Sequence, residues 1–319
     1  MRACVTGGTY FVGRALVRRL LRDGVSVRVL VEPSEHPDKI GVEFASVNLT
    51  DKESIAGALE DVDVLYHTAE TKLDETQNIF EACIKKSVPH VVCLSSTAVY
   101  GLADKGETID EITPWDIHLE ERDGETRATF EREQYARAIG NKTKLAVTIV
   151  RAGIVYGPTK PLPEGPLGYR AALGRSLVFG RREQHFPLTY VDNLADAMAL
   201  LRTGRGLRTF IVIDDGELTL GQYHAVRQEV EGTPTTFLPG WPLLFAAVAF
   251  EILMWLHPTG FGAGNKWRRI RLHLQDRRFD AHRIREETGW APKVSLKDAI
   301  QLTLRRTSAK DSCGPDRNS

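Results

Sequence analysis

A glycine-rich turn near the start of the chain could bind phosphate. Residues 6–13 read TGGTYFVG and lie where an apolar run gives way to apolar residues at helical spacing. Backbone N–H groups at such a strand-to-helix turn hold the diphosphate of a dinucleotide, and glycines let the backbone approach it closely. A plain turn without a ligand is the alternative, because a glycine pattern gains weight only from this context.

Several single side chains could move a proton. They are Glu111, His118, Glu125 and His185. A histidine is the first choice because its reference pKa, about 6.5, lies near neutral pH. Each of them could equally be a solvated or structural residue, since a titratable group without a known partner is a weak signal.

The elements that must position these residues follow an alternating pattern. Up to residue 150, short apolar runs alternate with amphipathic ones, which is typical of βαβ units and a parallel sheet. The pattern predicts strands at 2–6, 25–31, 42–47, 62–67, 91–95 and 146–150, and helices at 11–22, 52–59, 76–86 and 126–139. Residues 101–125 are polar and acidic, and we expect a long loop there beside a site.

Two lobes and a tail are expected. Residues 1–155 are predicted to form a dinucleotide-binding domain that residues 188–215 rejoin. Residues 156–187 and 216–306 are predicted to form a smaller substrate-binding lobe, and residues 307–319 a disordered tail.

Composition excludes several classes of protein. The 319 residues carry 42 Lys plus Arg and 42 Asp plus Glu, so there is no basic excess for binding nucleic acid. A hydrophobic fraction of 42% is too high for a disordered chain. Four cysteines, at 4, 83, 93 and 313, lack the spacing of metal ligands or disulfides, which favours a reducing compartment and no metal. The N-terminus enters a strand at once, so we expect a cytoplasmic protein without a secretory signal.

Seven motifs occur in one order along the chain. They are the turn at 6–13, VNLTD at 47–51, DVDVLYHTA at 61–69, VVCLSSTAVYG at 91–101, VRAGIVYGP at 150–158, LTYVDNLADAM at 188–198 and TGWAPKVSLKDAI at 288–300. Over residues 2–306 the chain resembles the extended short-chain dehydrogenase/reductase family, which includes NAD-dependent epimerases/dehydratases and 3β-hydroxysteroid dehydrogenase-like proteins. The resemblance implies an α/β, Rossmann-like doubly wound parallel sheet that binds NAD(P), and a mainly C-terminal lobe that shapes the substrate pocket.

The resemblance also implies a set of cofactor contacts. They are Gly7, Tyr10, Phe11, Val12, Gly13, Glu32, Asn48, Leu49, Thr68 and Ala69. Glu32 ends the second strand, where a carboxylate can accept hydrogen bonds from the adenosine ribose and repels a 2′-phosphate, so NAD is favoured over NADP. A solvated Glu32 in a loop is the alternative. Asn48 stands where the family usually has Asp and could bind adenine.

Two departures from the family affect the cofactor site. Tyr10 replaces the middle glycine of the turn, so we expect a Cβ and a ring to crowd the phosphates and a positive φ to be lost. The segment between Ala69 and Thr76 is shorter than the family pattern, which alters the wall beside the cofactor and the helix through which relatives form dimers. A homodimer is therefore an open expectation.

A third departure concerns catalysis. The family uses Tyr-x-x-x-Lys on the helix after the long loop, where Tyr moves a proton at the substrate oxygen and Lys lowers its pKa. If Gln134 replaces the family's Glu four residues after the Lys, Thr126 takes the Tyr position and Phe130 the Lys position. Neither side chain can do the work of the residue it replaces. Thr97 matches the family's Ser/Thr, whose hydroxyl bonds the substrate oxygen.

Three functions fit these observations. The one we expect is an enzyme with non-standard chemistry, non-redox or cofactor-modified, such as a lyase, isomerase or cyclase acting on a small organic substrate, lipophilic or nucleotide-linked. The second is a conventional NAD-dependent epimerase, dehydratase or dehydrogenase with a relocated acid/base. The third is a non-catalytic nucleotide-binding or assembly subunit. The fold alone does not choose among them.

An apolar stretch and a basic run lie in the C-terminal part. Residues 241–257 are nearly all apolar, and residues 266–278 contain six Lys or Arg. The 17-residue stretch is shorter than the about 20 residues that span a bilayer. A core or pocket-wall helix is expected. The alternatives are a monotopic membrane contact with the basic run on anionic headgroups, and a basic run that faces a substrate diphosphate.

Overall fold

Strands and helices alternate through the first half of the chain. The structure is a computed structural model that describes residues 1–34, 41–102, 107–160, 169–171, 175–255 and 266–312. Its strands are β1 (Arg2–Thr6), β2 (Ser26–Val31), β3 (Glu43–Ser46), β4 (Val64–His67), β5 (His90–Ser96), β6 (Thr108–Ile109), β7 (Ala146–Ala152), β8 (Ile154–Tyr156), β9 (Tyr169–Ala171), β10 (Arg175–Phe179), β11 (Leu188–Tyr190), β12 (Leu207–Val212), β13 (Thr235–Leu238) and β14 (Arg278–Phe279). Its helices are α1 (Phe11–Arg22), α2 (Lys52–Ala58), α3 (Leu73–Lys85), α4 (Gly124–Lys142), α5 (Val191–Leu200), α6 (Leu220–Glu231), α7 (Trp241–Trp255), α8 (Lys266–Leu274), α9 (His282–Thr288) and α10 (Leu296–Ser312), with 3₁₀ turns at Thr97–Val99 and Leu119–Glu121.

The central sheet is parallel throughout. In the described part of the chain it has seven strands in the order β12-β7-β5-β4-β1-β2-β3. The chain builds outward from β1 to β3, returns to β4 on the other side of β1, and then builds outward again to β12. This reversal beside β1 confirms the predicted doubly wound, Rossmann-like fold. In such sheets ligands bind outside the carboxyl ends of the strands, where the order reverses.

Helices cover both faces of the sheet because the strand side chains alternate. In β1, Ala3 and Val5 join the apolar cluster that contains α1 and α5, whereas Cys4 joins the cluster beneath α2, α3 and α4. Cys4, Cys83 and Cys93 are buried free thiols, and Cys313 lies outside the described residues. Burial of strands on both faces is why their sequences are almost wholly apolar.

The later part of the chain forms smaller sheets and returns to the main one. β12 pairs with β7 at the sheet edge, whereas β11 pairs with β8 in a separate two-stranded sheet. The predicted domain boundaries stay a prediction. The C-terminal part is fastened to α5 by Asn193, whose buried side chain accepts hydrogen bonds from the Lys293 and Val294 N–H groups and donates one to the Val294 carbonyl.

Some element ends differ from the sequence predictions. α4 begins at Gly124 rather than 126, because the Asp123 carboxylate caps it by accepting the Thr126 N–H at 2.9 Å. α3 begins at Leu73 rather than 76, where Glu75 accepts the Lys72 N–H at 2.9 Å. α10 runs to Ser312, into the tail predicted to be disordered from 307, and residues 313–319 lie outside the described residues. Among the described helices, none combines the length and apolar character that a membrane span requires.

Candidate functional site

A cleft of about 1070 Å³ opens at the carboxyl ends of the parallel strands. It is lined by Thr6, Gly7, Tyr10, Phe11, Val12, Leu30, Val31, Glu32, Val47, Leu49, Thr68, Ala69, Glu70, Thr71, Lys72, Glu75, Leu94, Ser95, Ser96, Glu125, Ala128, Thr129, Arg132, Ala152, Gly153, Ile154, Val155 and Lys160. The ends of β1, β2, β4, β5 and β7 all contribute, so the cleft lies at the reversal point of the sheet, and its volume suits a large organic ligand.

The glycine turn packs too closely for side chains. Gly7 has φ +69°, and a Cβ there would lie 2.9 Å from the backbone N and Cα of Ala69. A Cβ on Gly13 would lie 2.1 Å from the Gly7 carbonyl oxygen. The turn therefore places the first N–H groups of α1 at the cleft, in the geometry that favours an anion. Gly13 itself lies behind the lining and holds the turn against α1.

Tyr10 does not disturb this turn, contrary to expectation. Its φ of −88° and ψ of 178° are extended backbone that any residue adopts, and the positive φ falls on Gly7 instead. Tyr10 is the residue before α1, its N–H donates to the Gly7 carbonyl at 3.0 Å, and its ring is 59% exposed at the cleft edge. Position 10 therefore needs no positive φ, while the expected crowding of the phosphates by the Tyr10 ring stays a prediction.

Most of the residues that were predicted to contact the adenosine line the cleft. Exposed Glu32 follows the last residue of β2 and lines the cleft. Buried Leu49 and Thr68 line it as well, and the Thr68 hydroxyl donates to the Thr6 carbonyl at 2.7 Å. Asn48 is not part of the lining. Its carboxamide oxygen accepts the N–H and the hydroxyl of Thr50, at 3.0 and 2.8 Å, so it is engaged in a local turn.

One face of α4 forms the opposite wall. Glu125, Ala128, Thr129 and Arg132 line the cleft, at the i, i+3, i+4, i+7 spacing of a single helical face. Thr126 is absent from this lining because its N–H and hydroxyl both donate to the capping carboxylate of Asp123.

Phe130 also faces away from the cleft. It packs edge-on against Trp115 with 5.4 Å between ring centroids. Thr126 and Phe130, the expected positions, therefore do not line the cleft, whereas Glu125 and Thr129, at the same spacing, do.

The register of α4 is set by a buried carboxylate. Glu133 accepts a hydrogen bond from the Ser95 hydroxyl at 2.6 Å and from the Arg151 guanidinium at 2.5 Å. Gln134, which the sequence comparison placed at the family's Glu position, is exposed. Taking Glu133 as that residue moves the Tyr position to 125 and the Lys position to 129.

Arg132 brings a cation to the α4 wall. Its guanidinium donates to the Thr71 carbonyl at 2.6 Å and to the Thr129 hydroxyl at 3.0 Å. Burial lowers the pKa of Arg132, while the negative charges of Glu70 and Glu125 act in the opposite direction. Glu125 and Arg132 thus interact electrostatically across two turns of α4. Sequence reasoning missed Arg132, which the helical spacing from Glu125 would have indicated.

His67 supports this wall from below. Its Nδ1 lies 2.8 Å from the Thr6 hydroxyl and its Nε2 lies 3.2 Å from the Thr71 hydroxyl. Burial, with the nearby charge of Arg132, lowers the pKa of His67 to about 3, so the ring is neutral. The neutral imidazole is held between two hydroxyls and fixes the loop that contains Thr71, whose carbonyl accepts the hydrogen bond from Arg132.

Ser96, and not Thr97, presents its hydroxyl to the cleft. Half-buried Ser96 lines the wall at the end of β5, whereas Thr97 is 4% exposed and absent from the lining. The Ser96 Oγ accepts the Ala98 N–H at 3.1 Å, which leaves its own proton for a ligand. The two adjacent hydroxyls could not be told apart by sequence, and the hydroxyl role predicted for Thr97 fits Ser96.

The remaining predicted acid/base residues lie outside the cleft lining. The buried His185 ring is 2.7 Å from the Asp276 carboxylate. The Glu111 carboxylate accepts the Ile211 N–H at 2.9 Å, and burial raises its pKa. His118 lies 3.8 Å from Glu120 on the loop before α4. Of the four predicted acid/base candidates, Glu125 is the one that lines the cleft.

Comparisons with known proteins agree with this architecture. The model of the NAD dependent epimerase/dehydratase family matches residues 3–209. The 3β-hydroxysteroid-dehydrogenase/decarboxylase isoform 2 of Arabidopsis thaliana is 22% identical over 350 residues, covering 94% of this chain but 61% of that protein. The chain thus spans less than two thirds of the plant relative.

Two further proteins match over nearly their whole length. Sterol demethylase protein B of Methylococcus capsulatus is 27% identical over 333 residues, covering 94% of this chain and 97% of that protein. The UDP-glucose 4-epimerase of Thermus thermophilus, solved in complex with NAD, superposes with a TM-score of 0.69 at 22% identity, covering 97% and 99% of the two chains. At this identity the structural likeness concerns the fold.

Proposed function

This chain belongs to the NAD dependent epimerase/dehydratase family, and we propose that it is an enzyme that binds NAD in the cleft and removes a proton from a small organic substrate with Glu125. The single observation that carries the proposal is the cleft-facing side of α4. It offers the Glu125 carboxylate and, seven residues further along the same face, the Arg132 guanidinium, whereas the family pattern has a phenol and an ammonium at the positions of Glu125 and Thr129.

The cleft fits a dinucleotide. The side-chain-free turn at Gly7 and Gly13 places the start of α1 at the cleft, and Tyr10 leaves its backbone in an ordinary conformation. Exposed Glu32 at the end of β2 favours NAD over NADP, because its charge repels a 2′-phosphate. Lys160 lines the same cleft and supplies a positive charge for the diphosphate. Bound NAD would supply a nicotinamide ring that accepts or returns a hydride.

The chain's own groups suit proton abstraction. A substrate C–H bond next to a carbonyl breaks, its proton goes to the Glu125 carboxylate, and the electron pair moves toward the carbonyl oxygen. The Ser96 hydroxyl, whose oxygen already accepts the Ala98 N–H, donates a hydrogen bond to that oxygen. Arg132 holds Thr129 and balances the negative charge at this end of the cleft. Isomerase or lyase chemistry follows from these roles.

A second candidate is conventional NAD-dependent oxidation or epimerisation. The intact glycine turn favours it, since a turn this closely packed keeps the site for the diphosphate. In that reaction the Glu125 carboxylate takes the proton of a substrate hydroxyl. The non-catalytic nucleotide-binding or assembly role is less well supported, because three polar side chains from two elements converge on one cleft.

The substrate class rests on the named relatives. Two of them carry sterol or steroid names, which favours a lipophilic substrate, while the structural relative is a nucleotide-sugar enzyme. We propose the lipophilic class as the first to test. A homodimer stays a prediction.

A proton-exchange assay tests the proposal. The protein with NAD is incubated in D₂O with a panel of steroid ketones and nucleotide-linked keto sugars, and NMR follows exchange beside the carbonyl. Glu125→Gln is expected to slow exchange by about 10²- to 10⁴-fold. The matched control is Glu131→Gln, since Glu131 is an exposed carboxylate of α4 outside the cleft lining.

NADH absorbance separates the two candidates. Exchange without a change in NADH supports isomerase or lyase chemistry, and exchange that requires NADH formation supports the conventional reaction. Equal exchange rates in Glu125→Gln and wild type would refute the role of Glu125. Calorimetric titration with NAD and NADP tests the cofactor independently.

A further inference from the structure

Helix α7 exposes an apolar stripe to solvent. Trp241, Phe245 and Val248 are 65%, 73% and 41% exposed. They follow the i, i+4, i+7 spacing that places them on one face of the helix. Large aromatic side chains in such a row are costly to keep in water, and a contiguous exposed apolar patch marks a binding surface.

The exposed stripe is separate from the face of α7 that packs against the rest of the protein. Away from the stripe, Ala247 of α7 is buried, and α7 contacts α8. At the start of α7, a Cβ on Gly240 would lie 2.5 Å from the Leu274 side chain at the end of α8. Leu272 of α8 is buried as well. The helix is thus held from one side while the stripe faces outward.

The neighbouring helix is basic. The sequence of α8, KWRRIRLHL, has four Lys or Arg and no acidic residue. At its C-terminal end Arg271 and His273 are exposed. An aromatic stripe beside a cationic helix is the pattern by which proteins lie in the interface of an anionic membrane.

We propose that α7 and α8 form a membrane-docking surface, defined by Trp241, Phe245 and Val248 of α7 and by Arg271 of α8. The apolar stripe inserts among the acyl chains while α8 contacts anionic headgroups. In this arrangement α7 lies in the plane of the membrane, since no described helix has the length and apolar character of a membrane span. The proposal goes beyond the proposed function and does not depend on it.

Charge argues against the two other occupants. In a symmetric pair of chains the same surface meets its own copy, which would bring two basic α8 helices together. A diphosphate-linked substrate would need α8 at the cleft, yet residues 270–274, the part of α8 whose side chains the structure describes, are not part of the cleft lining. An anionic lipid surface offers acyl chains to the apolar stripe and negatively charged headgroups to the basic helix α8.

Vesicle flotation at low salt tests the surface. The full chain is mixed with vesicles of phosphatidylcholine alone or with phosphatidylglycerol added. Wild type is expected to float with the anionic vesicles and far less with the neutral ones. The double variant Trp241→Ser, Phe245→Ser is expected to bind about tenfold more weakly or worse, and Arg271→Glu to weaken binding to anionic vesicles selectively.

The matched control removes two other exposed apolar side chains. Ile112 and Ile117 are 86% and 83% exposed on the loop before α4, and the double variant Ile112→Ser, Ile117→Ser is expected to float like wild type. Thermal unfolding and NAD titration check that each variant is folded. Failure of wild type to float, or equal loss in the control, would overturn the proposal. So would a stable dimer in sedimentation that Phe245→Ser dissociates, because the stripe would then be a contact between copies.

Discussion

The guanidinium of Arg151 lies 2.5 Å from the carboxylate of Glu133, and both side chains are buried behind the cleft. The pair joins α4 to β7 and decides which face of α4 lines the cleft. Burial raises the pKa of Glu133, but the hydrogen bond and charge of Arg151, together with the Ser95 hydrogen bond and the charge of Arg137, outweigh it, so the pKa falls below its usual value.

Breaking this pair is expected to destabilise the protein strongly. Arg151→Met removes the main partner of the buried Glu133 carboxylate and leaves it Arg137, whose Nε lies 3.0 Å away, so we expect the lower end of the about 3–5 kcal/mol that breaking a buried pair costs. Urea unfolding measures the loss, with Arg127→Met, an exposed arginine of α4, as the control. An equal effect of the two substitutions would show that the pair does not hold α4.

The same pair predicts acid sensitivity. Because the folded pKa of Glu133 is lowered, its contribution to stability is complete above about pH 4.3, the reference value for an unfolded chain, and disappears as the pH falls through the folded pKa. In wild type, the free energy of unfolding is expected to fall as the pH drops from neutral to acid. In Glu133→Gln we expect a smaller fall over the same pH range. An unchanged pH dependence in that variant would contradict the assignment.

Removing the adjacent hydroxyls of Ser96 and Thr97 is expected to change different properties, kcat in the first case and stability in the second. Ser96→Ala removes the hydroxyl that faces the cleft and is expected to lower kcat by about a hundredfold with little change in stability. Thr97→Ala alters a buried residue and is expected to change stability more than kcat. The proton-exchange assay and thermal unfolding, run on both variants, distinguish them. A larger kcat loss in Thr97→Ala would restore the original prediction for that residue.

Cofactor preference is expected to depend on Glu32. Glu32→Arg replaces a repelling charge with one that attracts a 2′-phosphate and is expected to move calorimetric affinity from NAD toward NADP. Glu286→Arg makes the same charge change on exposed α9 and serves as the control. Tighter binding of NADP than NAD by wild type would disprove the argument from charge.

The register of α4 can be tested by restoring the family pair. Glu125→Tyr with Thr129→Lys puts a phenol and an ammonium on the cleft face and is expected to produce measurable NADH oxidation with carbonyl substrates. The same residues placed by Thr126→Tyr with Phe130→Lys would displace the Asp123 cap contact and the Trp115 packing. That variant is expected to be less stable and inactive. Activity in the second variant alone would show that the register is wrong.

Sequence predicted the sheet well because its strands are buried on both faces. The bounds of β1 and α1 agree with the predicted ones, since Gly7 and Gly8 separate a short apolar run from a regular helical spacing. The sequence pattern alone could not show which face of α4 lines the cleft. Glu133 and Gln134 are adjacent polar residues, and the one that is buried is decided by Arg151, which the fold brings to it from a neighbouring strand. Likewise, the backbone turn after β5 decides between Ser96 and Thr97.

The hydrogen bonds that join Asn193 to the C-terminal part of the chain form only after that part has been synthesised. Its side chain is buried and bonds to the backbone of Lys293 and Val294, a hundred residues further along. While the ribosome is still making the intervening chain, this amide has no partner from that segment, and a buried amide without partners costs about 1–3 kcal/mol. The part of α5 around Asn193 therefore settles late in synthesis, and a nascent chain that stops before residue 290 leaves this part of the helix open to chaperones and proteases.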